Sequence, residues 1–130
     1  MFAYEFVTDT ILTAMAWHIA YEKVRPYVVR IETMEGFGTG FLFAYNKTHT
    51  IAAIATASHV IASAVDWKQP LKIWHPESNK IAYSEDDDRA SWLDRKHDAA
   101  TILVPSRLFK FPADVLPLVP EGRVRRLELK

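Results

Sequence analysis

The sequence predicts a mostly β domain: a small antiparallel barrel or sandwich of about six strands, preceded by an N-terminal α-helix. Two observations carry this. After Pro26 the apolar residues stop recurring at helical spacing and fall into short, often β-branched runs bounded by turn residues. Three of the four glycines then crowd into Gly36-Phe37-Gly38-Thr39-Gly40. Glycines so dense within a strand pattern mark a bulge or a tight barrel corner, where a side chain would not fit.

The first 25 residues read as the helix. Thr8 or Asp9 offers a side-chain oxygen to cap its N-terminus. Ile11, Leu12, Met15, Ala16 and Ile19 then share one face, which predicts a helix packed on the domain behind it or, alternatively, one lying on a membrane surface or partner. Pro26 ends it and pushes Arg25 toward an extended conformation. The expected strands are Tyr27 to Thr33, Phe41 to Tyr45, Thr50 to Thr56, Leu71 to Trp74, Ile81 to Tyr83 and Asp98 to Val104, with a short helix or turn from Ala57 to Val65. Glu85-Asp86-Asp87-Asp88 forms an acidic loop, and the proline-rich stretch 107–130 reads as a connecting tail. The barrel is thus expected over 26–106.

Composition narrows the function classes. A chain of 130 residues suits one domain and hides roughly two-thirds of its unfolded surface. Sixteen Lys and Arg balance sixteen Asp and Glu, so no global field draws the chain to nucleic acid or to an anionic membrane, and neither is expected as a partner. The lack of cysteine excludes disulfides, thiolate zinc sites and a Cys nucleophile within the chain. Glu5, Asp9 and His18 interrupt what would be a secretory signal, and no apolar run approaches the ~20 residues of a membrane span. A cytoplasmic location is the resulting expectation.

Two residues stand out chemically. His59 follows a strand on a turn, in Thr56-Ala57-Ser58-His59, where an imidazole reaches a cleft. Asp98 opens an apolar strand, in Asp98-Ala99-Ala100-Thr101-Ile102, where an unpaired carboxylate would be costly. Each alone has a bland reading, a packed or surface histidine and a turn-capping aspartate. Pairing satisfies both: the carboxylate accepts Nδ1–H, and Nε2 is left free as a general base.

Those segments carry a family resemblance. Thr56-Ala57-Ser58-His59 resembles the Thr-Ala-Ala-His signature of the trypsin-like serine proteases, and Asp98-Ala99-Ala100 resembles the segment bearing their aspartate. Gly38-Thr39-Gly40-Phe41 is similar to the Gly-Ser-Gly-Phe of bacterial, disulfide-free members, and Val24 to Ile31 to their entry into the first strand. Val60 stands where many secreted relatives carry a half-cystine. The resemblance runs from about Val24 to Pro105. It implies the six-stranded N-terminal barrel of a two-barrel fold, with His59 and Asp98 as the catalytic pair of a Ser-His-Asp triad acting on peptide or protein substrates, without a cofactor or metal.

The departures are equally specific. That family takes its nucleophile from a Gly-Asp-Ser-Gly-Gly segment in a second barrel, well after the aspartate. Here Ser106 follows Asp98 by eight residues, without neighbouring glycines, and Gly122 is the single glycine beyond residue 40. Ser58, Ser63, Ser78, Ser84 and Ser91 sit in no nucleophile motif. The chain alone is therefore expected to lack protease activity, because nucleophile and oxyanion hole are both missing. The other reading is a non-catalytic interaction domain on a half-protease scaffold. In either case an exposed half-interface favours self-association.

Three further clusters read as structural. Asp86, Asp87 and Asp88 lack the spaced ligands and turn glycine of a calcium loop. The five histidines show no zinc spacing, and His97 points away from Asp98 if both lie in a strand. Trp67, Trp74 and Trp92 near Lys68 and Lys72 could stack on single-stranded nucleic acid, but barrel packing explains them better.

Overall fold

A computed structural model describes residues 2–84 and 90–116 of the chain. Helix α1 spans Phe2–Val24 and gives way to a 3-10 turn, Arg25–Tyr27. Strands β1 (Val28–Glu32), β2 (Phe37–Tyr45) and β3 (Ile51–Thr56) follow, then helix α2 (Ser58–Asp66). Strands β4 (Leu71–His75), β5 (Lys80–Ser84), β6 (Ala90–Asp94) and β7 (Ala99–Pro105) complete one antiparallel sheet in the order β5-β4-β1-β2-β3-β7-β6.

That order forces the sheet to curl. Strands β5 and β6 are its two ends, yet only residues 85–89 separate them in the chain. Seven strands laid flat would put them about 29 Å apart at ~4.8 Å per step. The six residue steps from Ser84 to Ala90 reach about 20 Å when fully extended. A barrel-like curve brings the ends within reach. Its concave side is lined by alternate residues: Val29 and Ile31 of β1, Leu42 of β2, Ile54 of β3, Leu71 and Ile73 of β4, and Ile102 of β7, all with no exposed surface. Ile61 of α2 joins them.

The glycines serve the curve as their density suggested. A Cβ on Gly40 would lie 2.8 Å from Ile54 Cγ2 and 2.9 Å from both Ile31 Cδ1 and Val29 Cγ2, so the core folds over that position. A Cβ on Gly38 would lie 2.5 Å from a methyl carbon of Val60, so α2 packs directly on the β2 backbone. The strand then bulges at Phe43, between the pairs Leu42–Ile54 and Ala44–Ala53.

Several expectations are corrected. The sheet has seven strands rather than six, because Ala90–Asp94 forms a strand that the sequence reading passed over. Its inward residues, Ser91 and Leu93, alternate with the outward Trp92, which defeats a simple apolar period. Strand β2 begins at Phe37, so Gly38 and Gly40 lie within it. Thr8 and Asp9 fall inside α1, which starts at Phe2. Arg25 enters a 3-10 turn instead of extending. Nor does α1 pack on the sheet over residues 13–25, which are exposed. Met15 and Ile19 lie on one side of α1 and Trp17, Tyr21 and Val24 on another, so it has no single apolar stripe to bury. Trp67 and Trp92 are 73% and 78% exposed, against the expectation of core packing. The acidic run 85–88 and the tail beyond 116 lie outside the described residues.

Residues 106–116 pack back onto the core. Phe109 is buried, and Phe111, Val115 and Leu116 lean on the same cluster. The hydroxyls of Tyr45 and Tyr27 donate to the carbonyls of Pro112 (2.6 Å) and Asp114 (2.8 Å). Fully buried His75 sits beside the Phe111 ring, its Nδ1 2.6 Å from Ser78 Oγ and its Nε2 2.7 Å from the Pro26 carbonyl. A carbonyl can only accept, so Nε2 carries the proton and Nδ1 accepts from the Ser78 hydroxyl.

Candidate functional site

The pairing of β3 with β7 sets the site. Thr56, the last residue of β3, lies opposite Ala100 of β7. The chain leaving β3 and the chain entering β7 therefore emerge at the same end of the sheet. Helix α2 starts there, two residues beyond Thr56, and Asp98 immediately precedes β7.

The first turn of α2 explains why the carboxylate sits where it does. Its N-cap is Ala57, which has extended dihedrals and no side-chain oxygen to give. The opening N–H groups of a helix need acceptors. Asp98 supplies one from across the fold: its Oδ1 accepts the His59 backbone N–H at 2.9 Å and the Ser58 hydroxyl at 3.0 Å. The negative charge also lies at the favourable end of the helix dipole. The other oxygen, Oδ2, stands 2.7 Å from His59 Nδ1.

This network moves Asp98 in one direction. The His59 backbone N–H first, then the His59 ring and the Ser58 hydroxyl, hold its carboxyl below the ordinary carboxylate value. An ionised carboxylate can only accept, so Nδ1 of His59 carries the proton. Nε2 is left with its lone pair outward, on a ring that is 74% exposed. Chemically, such an arrangement can take up a proton at Nε2 while the carboxylate holds the ring in place.

The β6–β7 turn is built to present Asp98. Residue 98 adopts φ 50°, the left-handed region that Asp tolerates better than most. Asp94 stabilises the turn by accepting the His97 backbone N–H at 3.2 Å, with its other oxygen 2.8 Å from His97 Nδ1. Arg95 reaches back to the far end of α2, where both guanidinium nitrogens meet Asp66 at 2.6 and 3.2 Å. The two elements carrying the pair are thus joined at both ends of α2.

The two residues singled out from the sequence therefore meet, but not as that reading described. Asp98 precedes β7 rather than opening it, and about half its side chain is exposed, so desolvation is not what pairs it. His97 lies in the turn, not a strand, and pairs with Asp94. Ser58 was missed as a partner of the carboxylate; beyond adjacency to His59, nothing in the sequence signals it. Ser106 donates to the His49 carbonyl, remote from the pair. Among the described residues no group of three or more His, Asp or Glu side chains gathers as a metal site, and no helix is long and apolar enough to cross a membrane.

A shallow groove begins beside the pair. Thr56 and Ala99 border its near end, and it runs over the outer surface of β3, β7 and β6 between Phe43 and Trp92. Comparison of the chain with family models and with curated proteins finds no match.

Proposed function

We propose that this chain is the acid–base half of a trypsin-like serine endopeptidase, with His59 as general acid and base and Asp98 as its orienting carboxylate. The observation that carries the reading is the double engagement of Asp98: Oδ2 on the His59 ring at 2.7 Å and Oδ1 on the His59 backbone at 2.9 Å. Ring and backbone of one residue are fixed by one carboxylate, so Nε2 is aimed rather than merely protonatable. The curled antiparallel sheet and the close packing at Gly38 and Gly40 support the same reading.

The activity requires groups from outside the described residues. Among the described residues the hydroxyl nearest the pair, that of Ser58, donates to Asp98 and not to His59 Nε2. Without nucleophile and oxyanion hole, acyl transfer in the family manner cannot run. The substrates are peptides or proteins, and the chain by itself is inactive. A fluorophosphonate applied to the purified chain tests this: it leaves the chain unlabelled, and labelling at any of its serines overturns the proposal. The coding frame beyond Lys130 supplies the second test, through a downstream Gly-x-Ser-Gly-Gly segment. Its absence selects the alternative, a non-catalytic interaction domain, which the exposed apolar groove and helix favour.

A further inference from the structure

Two apolar surfaces of this chain lie open among the described residues, and they fit one another in kind. One is convex. From Ala14 to Tyr21 helix α1 has no Asp, Glu, Lys or Arg, and Met15, Trp17, Ile19 and Tyr21 are each more than half exposed. The other is concave. On the outer face of the sheet, Ala53 and Thr101 floor a groove of about 480 Å³ walled by Phe43 and Trp92, with Leu103 at its far end. It continues toward Thr56 and Ala99 through a further space of about 370 Å³.

We propose that a second copy of this chain fills the groove: α1 of each protomer lies between Phe43 and Trp92 of the other, in a reciprocal dimer. Three features select this occupant. Neither the two-turn segment of α1 nor the wide part of the groove carries a formal charge, Asp94 bordering only its continuation toward Thr56, so neither demands a charged partner. The stretch 13–25 of α1 is exposed, so it does not cover the groove of its own chain. The area also suffices only when the contact is doubled. Buried aromatic side chains contribute about 150–250 Å² each. Trp17, Tyr21, Phe43 and Trp92 would give on the order of 600 Å² per groove, and two grooves about 1,200 Å², where specific stable interfaces begin. A closed two-fold pair meets this condition, and a single helix in a single groove does not. The dimer is independent of the protease reading, because none of these side chains belongs to the His59–Asp98 pair.

The cysteine-free sequence makes the test direct. Protein carrying Ala20→Cys on α1 is mixed with protein carrying Ala90→Cys, on the outward face of β6 at the groove, and the mixture is oxidised. A mixed disulfide dimer is expected well beyond the share that random pairing of the two thiols gives. A mixed dimer at or below that random share overturns the proposal. So does an intrachain bond in the Ala20→Cys/Ala90→Cys double variant, which would place α1 in its own groove. Sedimentation equilibrium gives the energetics. The unmodified chain dimerises in the micromolar range, and Trp17→Glu or Trp92→Glu each weakens dimerisation about tenfold or more, as for an interface hot spot. Both positions are exposed in the single chain, so each variant retains its fold by circular dichroism. Mixing the two variants restores part of the association, since one intact helix then meets one intact groove. A chain that stays monomeric to high micromolar concentration, or a dimer indifferent to both substitutions, refutes it.

Discussion

Replacing Gly38 by alanine tests how the fold positions His59. The new methyl carbon would stand 2.5 and 2.8 Å from the two Val60 methyl carbons and 3.2 Å from Val60 Cβ. Carbon atoms rest at about 3.5–4.0 Å, so α2 must retreat by roughly 1 Å. Rotating Val60 gives no escape. All three of its side-chain carbons lie inside that limit, and a β-branched residue in a helix holds one dominant rotamer. The shift passes to the preceding residue. The His59 N–H to Asp98 Oδ1 contact is 2.9 Å, and ~1 Å more takes it beyond hydrogen-bonding distance. Overpacking of this kind costs about 1–3 kcal/mol. For a chain of this length that lowers Tm by roughly 3–12 °C. Scanning calorimetry measures the loss, and the His59 amide and ring resonances in an NMR spectrum report the displaced helix. Val60→Ala removes the two closest carbons and leaves the 3.2 Å contact, so the double variant recovers about 1 kcal/mol or more relative to additivity. A Gly38→Ala chain with unchanged Tm and an unmoved His59 amide refutes the reasoning, as does a double variant no better than the sum of its parts.

The same geometry sets further outcomes. Asp98 has a lowered folded-state pKa, so its contribution to stability is present above the ordinary carboxylate value near ~4 and fades as pH falls through the lower folded value. Urea titrations across the acid range measure this, and Ser58→Ala moves the loss to higher pH by removing one donor to Oδ1. Asp98→Asn keeps an oxygen for the His59 backbone N–H but offers an N–H₂ to the ring. His59 then carries its proton on Nε2 and loses the base, which ¹⁵N shifts of the imidazole detect while the circular dichroism spectrum is unchanged. Tyr45→Phe and Tyr27→Phe each release one carbonyl of the returning segment at a cost of about 1 kcal/mol, read as faster hydrogen exchange or proteolysis within 106–116. Arg95→Ala frees the far end of α2 from the β6–β7 turn, and the His59 Nδ1 proton exchanges faster with water; Arg95→Lys restores part of the protection.

What the sequence made legible was local and periodic. Strands β1 to β5 and β7 were each recognisable from a β-branched or apolar run between turn residues, though the glycines before Phe41 proved to lie within β2. Strand β6 was not, because Trp92 faces out and Ser91 faces in, the reverse of an apolar-in pattern. The packing of α1 was misread for a related reason. Met15, Ala16 and Ile19 do fall on one side, but Trp17, Tyr21 and Val24 fall on another, and periodicity cannot choose between two apolar sides. His59 and Asp98 were legible as a pair by context. The conformation that joins them was not, since the left-handed turn at Asp98 and the cap it provides depend on contacts nearly forty residues apart.

That cap also separates the structural role of Asp98 from the chemical one. A carboxylate needed only to hold the start of α2 has done so with Oδ1, which takes the His59 backbone N–H and the Ser58 hydroxyl. Ala57 leaves that vacancy, so a fold-based reason for Asp98 exists without any reaction. It does not reach Oδ2. The second oxygen faces an imidazole that is 74% exposed and buries no core surface, so the bond at 2.7 Å adds little to the fold in water. Its physical consequence is instead to fix which ring nitrogen carries the proton and where the other one points. Holding the start of α2 accounts for the two contacts at Oδ1, and the single contact at Oδ2 sets the tautomer and aim of the His59 ring.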